Sequence, residues 1–354
     1  MCGKRSDVWH TFAEELSNSS QFSHYTLRSQ FFARRLRELG FLKITEEVRK
    51  LLPLKDSFRW DHPNEFGIDD DAFKAVAEDG LEPMLCFARP RAIAEQPSLI
   101  LYYRCLAMIS QKGMTRIAGG NLPAIERGEL TQIDEDTRAH LVTTVNRLLS
   151  VVILSFLGVR RLTPVDLQAF LFAQAGAQIQ GSWNNAVGKE GEMAIRELLI
   201  RHLRPHVLQV VWKDDTSMDS CGVPLEEILS RVEDVRVLRL ENGYHCVFSS
   251  EPDVSLRDPD DTPVLSVEVK AGKDPAGALE RFGAALKSFE HEFGLNPHLR
   301  TTYVADCLTP EVAKRIQRDP PFSHTFLLSE LLADQETQRR FANCFAAEIL
   351  PRHA

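Results

Sequence analysis

What the chain lacks narrows it first. It has no CxxC pair and no Cys/His cluster; its seven cysteines, at positions 2, 86, 105, 221, 246, 307 and 344, are scattered and odd in number. That excludes a zinc knuckle and a disulfide framework, and cysteines such as Cys246 in YHCVF read as small core residues in a reducing compartment. No apolar run reaches the roughly 20 residues of a membrane span. The most apolar one, LLSVVILSFLGV at 148–159, carries two serines and reads as a buried helix. The opening MCGKRSDVWH lacks the apolar stretch of a signal peptide, so a soluble, cytoplasmic protein with no membrane partner is expected. There is no G-x-S-x-G, Walker or Rossmann glycine pattern, and the eleven histidines show no ligand spacing and no HNH-like cluster. Positive charge is also short: the formal net charge is −8, so any nucleic-acid site must be a local basic surface.

What is present is an ordinary globular composition, 44% hydrophobic and 26% charged, in 354 residues, enough for two domains. Up to about residue 160 the periodicity is helical. TLRSQFFARRLRELG (26–40) places Phe32, Leu36 and Leu39 on one face and ends at Gly40. ITEEVRKLLPL follows as a short helix broken at Pro53, then a polar stretch at 56–71 that reads as a long loop. Further helices are predicted at 93–112 and 134–158, and Thr163-Pro164 opens another. Beyond it, 187–203 is helical, while 207–212, 235–240, 244–249, 264–270, 300–306 and 324–329 read as strands. Helices at about 275–292 and 309–318 separate the last three strands. The expectation is a mainly α-helical N-terminal domain (1–160) followed by an α/β domain with a mixed β-sheet flanked by helices (161–354).

The stretch EPDVSLRDPDDTPVLSVEVKAG (251–272) carries the chemistry. A hairpin at Glu241-Asn242-Gly243 leads into Pro252-Asp253, and the next strand bears Glu268 and Lys270. Side chains alternate along a strand, so Glu268 and Lys270 share one face and Val267 and Val269 the other. Paired carboxylates beside a lysine suit metal-dependent phosphodiester hydrolysis. Asp253 and Glu268 would hold a hard cation such as Mg²⁺, and Lys270 would orient water and offset charge on the phosphate. The bland alternative is a turn aspartate and an exposed ion pair, worth little. The apolar runs on both sides of the strand speak for a central position, where buried charge needs a purpose.

These residues resemble the PD-(D/E)XK nuclease superfamily: Pro252-Asp253, a spacer, then Glu268-Val269-Lys270. The resemblance covers about residues 185–330 and implies a restriction-endonuclease-like core, with a further acidic residue from an upstream helix. In GKEGE (188–192), Glu192 lies four residues after Gly188 and matches that position, with Glu190 the alternative. The implied site is Asp253, Glu268, Lys270 and Glu192, with Asp253, Glu268 and Glu192 as metal ligands. No Gln-x-x-x-Tyr follows the signature, which counts against a RecB-like exonuclease. The chain looks like a type II restriction endonuclease: a homodimer acting on double-stranded DNA, with a cognate DNA methyltransferase in the same system. A repair, resolvase or transposition nuclease, and a non-catalytic DNA-binding or regulatory protein on the same scaffold, are the alternatives.

Other features admit two readings each. The 24–50 stretch has seven Lys/Arg against three Glu, so Arg28, Arg34, Arg35 and Arg37 track phosphates or line a solvated face. QGSWNNAVGKE (180–190) reads as a plain loop with a packing Trp183, or as DNA contacts through Asn184, Asn185 and Lys189. Lys273 is a backbone contact or a loop lysine. Asp258, Asp260 and Asp261 read as solvated loop acids.

Overall fold

The computed structural model describes residues 21–50, 60–157, 161–318 and 322–349; Cys2, the Pro53 break and the end of the 148–159 run lie outside them. The chain divides into two compact units, Arg28–Trp183 on the one hand and Asn184–Ala354 together with Met1–Leu27 on the other.

Helices fill the first unit. In α1 (Gln21–Glu38) the buried positions among the described side chains are Leu27 and Phe31, while the expected Phe32 and Leu36, and Leu39 just beyond the helix, are half-buried. The Arg28 guanidinium lies 4.4 Å from the centre of the Phe32 ring and donates to Gln180 Oε1 at 2.6 Å, roofing that side of the helix. After α2 (Phe41–Arg49), the expected loop at 56–71 holds, among the described residues, a 3₁₀ turn at Pro63–Phe66. It then gives way to α3 (Asp70–Glu78), where Asp69 caps the amides of Asp71 and Ala72. The single helix expected at 93–112 is broken into Pro90–Glu95, a 3₁₀ turn at Pro97–Leu99 and Ile100–Leu106. Pro97 removes the amide that continuation would need, and Met108 closes the second piece at φ 53°.

α4 (Glu135–Leu157) packs against α3 and the 90–106 helices through Leu141, Val142, Val145, Leu149 and Ile153. Its far side is open, with Val151 61% exposed, so the run at 148–159 is only half-buried among its described residues. By length and composition α4 is also long enough to cross a membrane, yet its buried stripe is that of a core helix.

α5 (Pro164–Leu203) is one unbroken helix of 40 residues. The loop expected at 180–190 is helical. Gly181, Gly188 and Gly191 each weaken a helix by about 1 kcal/mol, but burial of Ile179, Trp183 and Val187 outweighs that local preference. Its start is closed as expected: Thr163 N–H donates to the Asp166 carboxylate at 2.9 Å, as in a capping box.

The second unit is built on an eight-stranded mixed sheet in the order β2-β1-β3-β4-β5-β6-β7-β8. The strands are β1 (Val207–Trp212), β2 (Ser217–Asp219), β3 (Val235–Leu240), β4 (His245–Phe248), β5 (Val254–Arg257), β6 (Pro263–Lys270), β7 (Arg300–Ala305) and β8 (His324–Leu327). All six expected strands are present. β1 to β6 pair antiparallel, and β6, β7 and β8 run parallel. The parallel steps are bridged by α6 (Ala278–Leu295) and α7 (Pro310–Arg318), since parallel neighbours need a crossover connection. Gly243 makes the β3–β4 hairpin possible at φ 83°.

α6 lies on one face of the sheet, where Phe282, Phe289, Tyr303 and Phe322 form an apolar cluster. On the opposite side α5 comes close to the end of β6. A Cβ on Gly191 would stand 2.3 Å from Ala271 Cβ, whereas nothing lies within 4 Å of one on Gly188. Gly191→Ala is therefore expected to destabilise the protein by about 1–3 kcal/mol through overpacking. Gly188→Ala should stabilise it by roughly 0.5–1 kcal/mol through helix propensity. Urea unfolding of the two variants checks this, and equal effects would contradict the close approach.

Candidate active site

β5 and β6 are neighbours whose register pairs Val254 with Val267 and Ser255 with Ser266, which sets Asp253 across from Glu268. The two acids are joined reciprocally. The Val269 amide donates to Asp253 Oδ2 at 2.7 Å, and the Asp253 amide donates to Glu268 Oε2 at 3.4 Å. Asp253 is 8% exposed and Glu268 1%. The Glu251–Pro252 peptide ahead of them is cis.

Lys270 forms an ion pair with Glu268 Oε1, and Ser288 Oγ of α6 donates to the same oxygen at 3.0 Å. On that face Glu292, one helical turn further along α6, is 1% exposed. It accepts from Ser255 Oγ at 2.8 Å, from Arg257 Nη2 at 2.8 Å and from Ser266. Burial pushes the Asp253 carboxyl up to about 7, with Glu268 and Glu192 adding repulsion against the Val269 amide and Lys270. Glu268 is also raised by burial, against the pull of Lys270. Tyr303, paired with Glu268 in the parallel register, is raised to about 12 by burial.

Glu192 sits on α5 in an ion pair with Arg196. Arg196 is itself buried, donates to the carbonyls of Val235 (3.4 Å) and Ser249 (3.3 Å), and lies 5.1 Å from the Phe248 ring centre. Asp253, Glu268 and Lys270 thus come together, with Glu192 close enough to act on Asp253 but drawn toward Arg196. Among the described residues no set of three His, Cys, Asp or Glu side chains is arranged to hold a metal ion. The donors nevertheless fit a hard cation: all are carboxylate oxygens, and two are held above their usual range by burial. Glu190, the alternative acid, is half-buried on the same helix.

The other nominated residues have defined places. Asn184, Asn185 and Lys189 are exposed on α5, and Lys189 pairs with Glu233. Lys273 follows β6 and lies 3.5 Å from Asp306, whose amide donates to the Lys270 carbonyl. In the helical unit Arg34 and Arg35 share Glu38, at 3.4 and 3.1 Å. Of the loop acids, Asp258 caps the amides of Asp260 and Thr262, and Asp261 holds His245 at 2.9 Å. Sequence reasoning did not name Arg196, Ser288 or Glu292. The i,i+4 spacing of Glu192 to Arg196 and of Ser288 to Glu292 was the only signal, and it is common in any helix.

Three comparisons bear on the chain. The family model described as XcyI restriction endonuclease matches residues 64–344, extending well N-terminal of the 185–330 segment. The type II restriction enzyme XcyI of Xanthomonas campestris pv. cyanopsidis is 26% identical over 228 residues, 61% of this chain. The chain spans 61% of that relative's length. No solved structure matches.

The raised carboxyls carry a pH signature. The folded protein holds protons on Asp253 and Glu268 more tightly than the unfolded chain does. In EDTA, the contribution of these two carboxyls to stability is therefore fullest below about pH 4 and is lost as pH rises toward about 7. Asp253→Asn keeps an acceptor for the Val269 amide and removes the titrating group. It should flatten this slope and gain on the order of 3 kcal/mol at pH 8. Urea unfolding across pH decides it; an unchanged slope would show that Asp253 does not titrate there.

Proposed function

Because the chain belongs to the XcyI restriction endonuclease family, we propose that it is a type II restriction enzyme, hydrolysing double-stranded DNA at a specific sequence with Mg²⁺. The observation that carries this reading is the buried, reciprocally bonded Asp253–Glu268 pair with Lys270 on the same face. A structural ion pair gives no reason to bury a second carboxylate beside it, at the cost the raised Asp253 carboxyl records.

Asp253 and Glu268 would hold the cation, with Glu192 as third donor. When bound, it supplies charge to polarise the scissile phosphate and to lower the pKa of the attacking water. Lys270 donates hydrogen bonds to that water or to a non-bridging phosphate oxygen and stabilises the negative charge that grows there. Water oxygen forms a bond to phosphorus as one ester P–O bond breaks, and the water's proton is finally taken up by the leaving oxygen. Ser288 fixes Glu268 in place from α6.

Asn184, Asn185 and Lys189, along one exposed stretch of α5, together with Lys273, Arg34 and Arg35, are the proposed DNA contacts. The cations among them would exchange carboxylate partners for phosphates. A homodimer would set one centre on each strand of a symmetric site, and a cognate methyltransferase would protect the same sequence in host DNA.

The test is incubation of the purified protein with unmethylated plasmid DNA and Mg²⁺, followed by sequencing of the fragment ends. Discrete ends at one motif are expected. Asp253→Ala and Lys270→Ala should each lower cleavage by at least about a thousandfold while the proteins stay folded. Scattered ends would move the reading to a repair, resolvase or transposition nuclease, and binding without cutting to a DNA-binding protein. Cleavage that persists in excess EDTA would overturn the metal assignment.

A further inference from the structure

α6 runs back along β6, and its contacts form a ladder. Glu292 meets Ser266, Ser288 meets Glu268, and Arg281 meets Gly272, just past Lys270. Arg281 thus stands on the stripe of α6 that faces the site, at the end where the strand opens. Two glycines make room for its guanidinium: a Cβ on Gly272 or Gly277 would lie 2.9 or 2.6 Å from Nη1. Nη2 donates to the Asp274 carbonyl at 2.5 Å. Its charge acts on Tyr303, the register partner of Glu268, and on Cys307.

What separates Arg281 from its neighbours is the partner it lacks. Lys270, Arg196, Lys273 and Lys189 are each matched with a carboxylate: Glu268, Glu192, Asp306 and Glu233. Arg281 is anchored by a neutral carbonyl, and no carboxylate among the described residues forms an ion pair with it. It also sits four residues into α6, near the positive end of the helix dipole, where a cation is disfavoured. A guanidinium anchored at one nitrogen with its charge unspent presents a planar fork suited to phosphate oxygens.

Resting on the nuclease reading above, we propose that Arg281 binds a non-bridging oxygen of the DNA phosphodiester adjoining the scissile one. It sets the strand in register with Asp253, Glu268 and Lys270. The rival role is a clasp that merely closes the 272–277 loop.

Arg281→Gln separates the two, because glutamine keeps an amide donor for the Asp274 carbonyl and loses the charge. Binding of the wild-type and variant proteins to a duplex carrying the cleavage motif is measured by anisotropy in EDTA over a range of salt. The variant should bind about three- to tenfold more weakly at low salt, and the slope of log K against log salt should shrink by roughly one. Arg281→Lys should restore the slope. A lower melting temperature with an unchanged slope would overturn the proposal in favour of the clasp. A second measurement needs no variant. Replacing the adjoining phosphates one at a time by neutral methylphosphonates should weaken wild-type binding about as much at one position, and unchanged affinity at all of them would overturn it. A wild-type protein that neither binds nor cuts DNA would overturn the nuclease reading itself; wild-type cleavage with no slope change in Arg281→Gln overturns Arg281 alone.

Discussion

The candidate site depends on one exchange of hydrogen bonds between neighbouring strands. The Asp253 carboxylate takes the amide of Val269, and the Glu268 carboxylate takes the amide of Asp253. Each acid is therefore fixed by the backbone of the strand that carries the other. Neither can be displaced without disturbing the β5–β6 junction. A buried carboxylate normally loses more by desolvation than a single hydrogen bond returns. Here the raised carboxyls record that imbalance, and the lysine two residues on relieves only part of it. The fold gathers buried carboxylates at one place, the kind of perturbed cluster found at functional sites.

Around that centre positive charge is placed with restraint. Because the chain's net charge is −8, the proposed DNA substrate would have to be met without a broad basic field. The cations beside the strand ends are held in pairs, Arg196 by Glu192 and Lys273 by Asp306. Such pairs would lower non-specific attraction, and on the proposed reading phosphates would gain contacts only where they replace a carboxylate or meet a guanidinium left without one.

Much of this was legible in the sequence, and what was not has physical reasons. Alternation in VLSVEVK assigned Glu268 and Lys270 to one face, and all six strands read from apolar runs are present. β5 escaped notice because VSLR is four residues long and sits between Pro-Asp and an acid-rich turn, so no period-two pattern could build. β2 is three exposed residues at the sheet edge. Helix breakers misled in both directions. Glycines and asparagines at 180–190 spoke for a loop that burial of Trp183 and Val187 overrides, while a single Pro97 split a run that periodicity joined. In α1, arginines lie over both Phe31 and Phe32, yet only Phe31 is buried, a choice that periodicity along the sequence does not encode. Arg196, Ser288 and Glu292 gain their roles only from tertiary contact.

The polar row on the β5–β6 face has a consequence for how the protein folds. Ser255, Ser266 and Glu268 find their partners in Glu292 and Ser288 in a single alignment. Sliding β6 by a residue would turn Val267 toward α6 and drive Ser266 and Glu268 into the apolar layer behind the sheet, and sliding β5 would do the same to Val254 and Ser255. Each stranded polar group would cost about 1–3 kcal/mol, more for the carboxylate. Misaligned chains are thus penalised by the same side chains that position the acids. Folding acts as a proofreader here: a molecule that has closed its sheet correctly has, by that fact, already assembled its candidate catalytic pair.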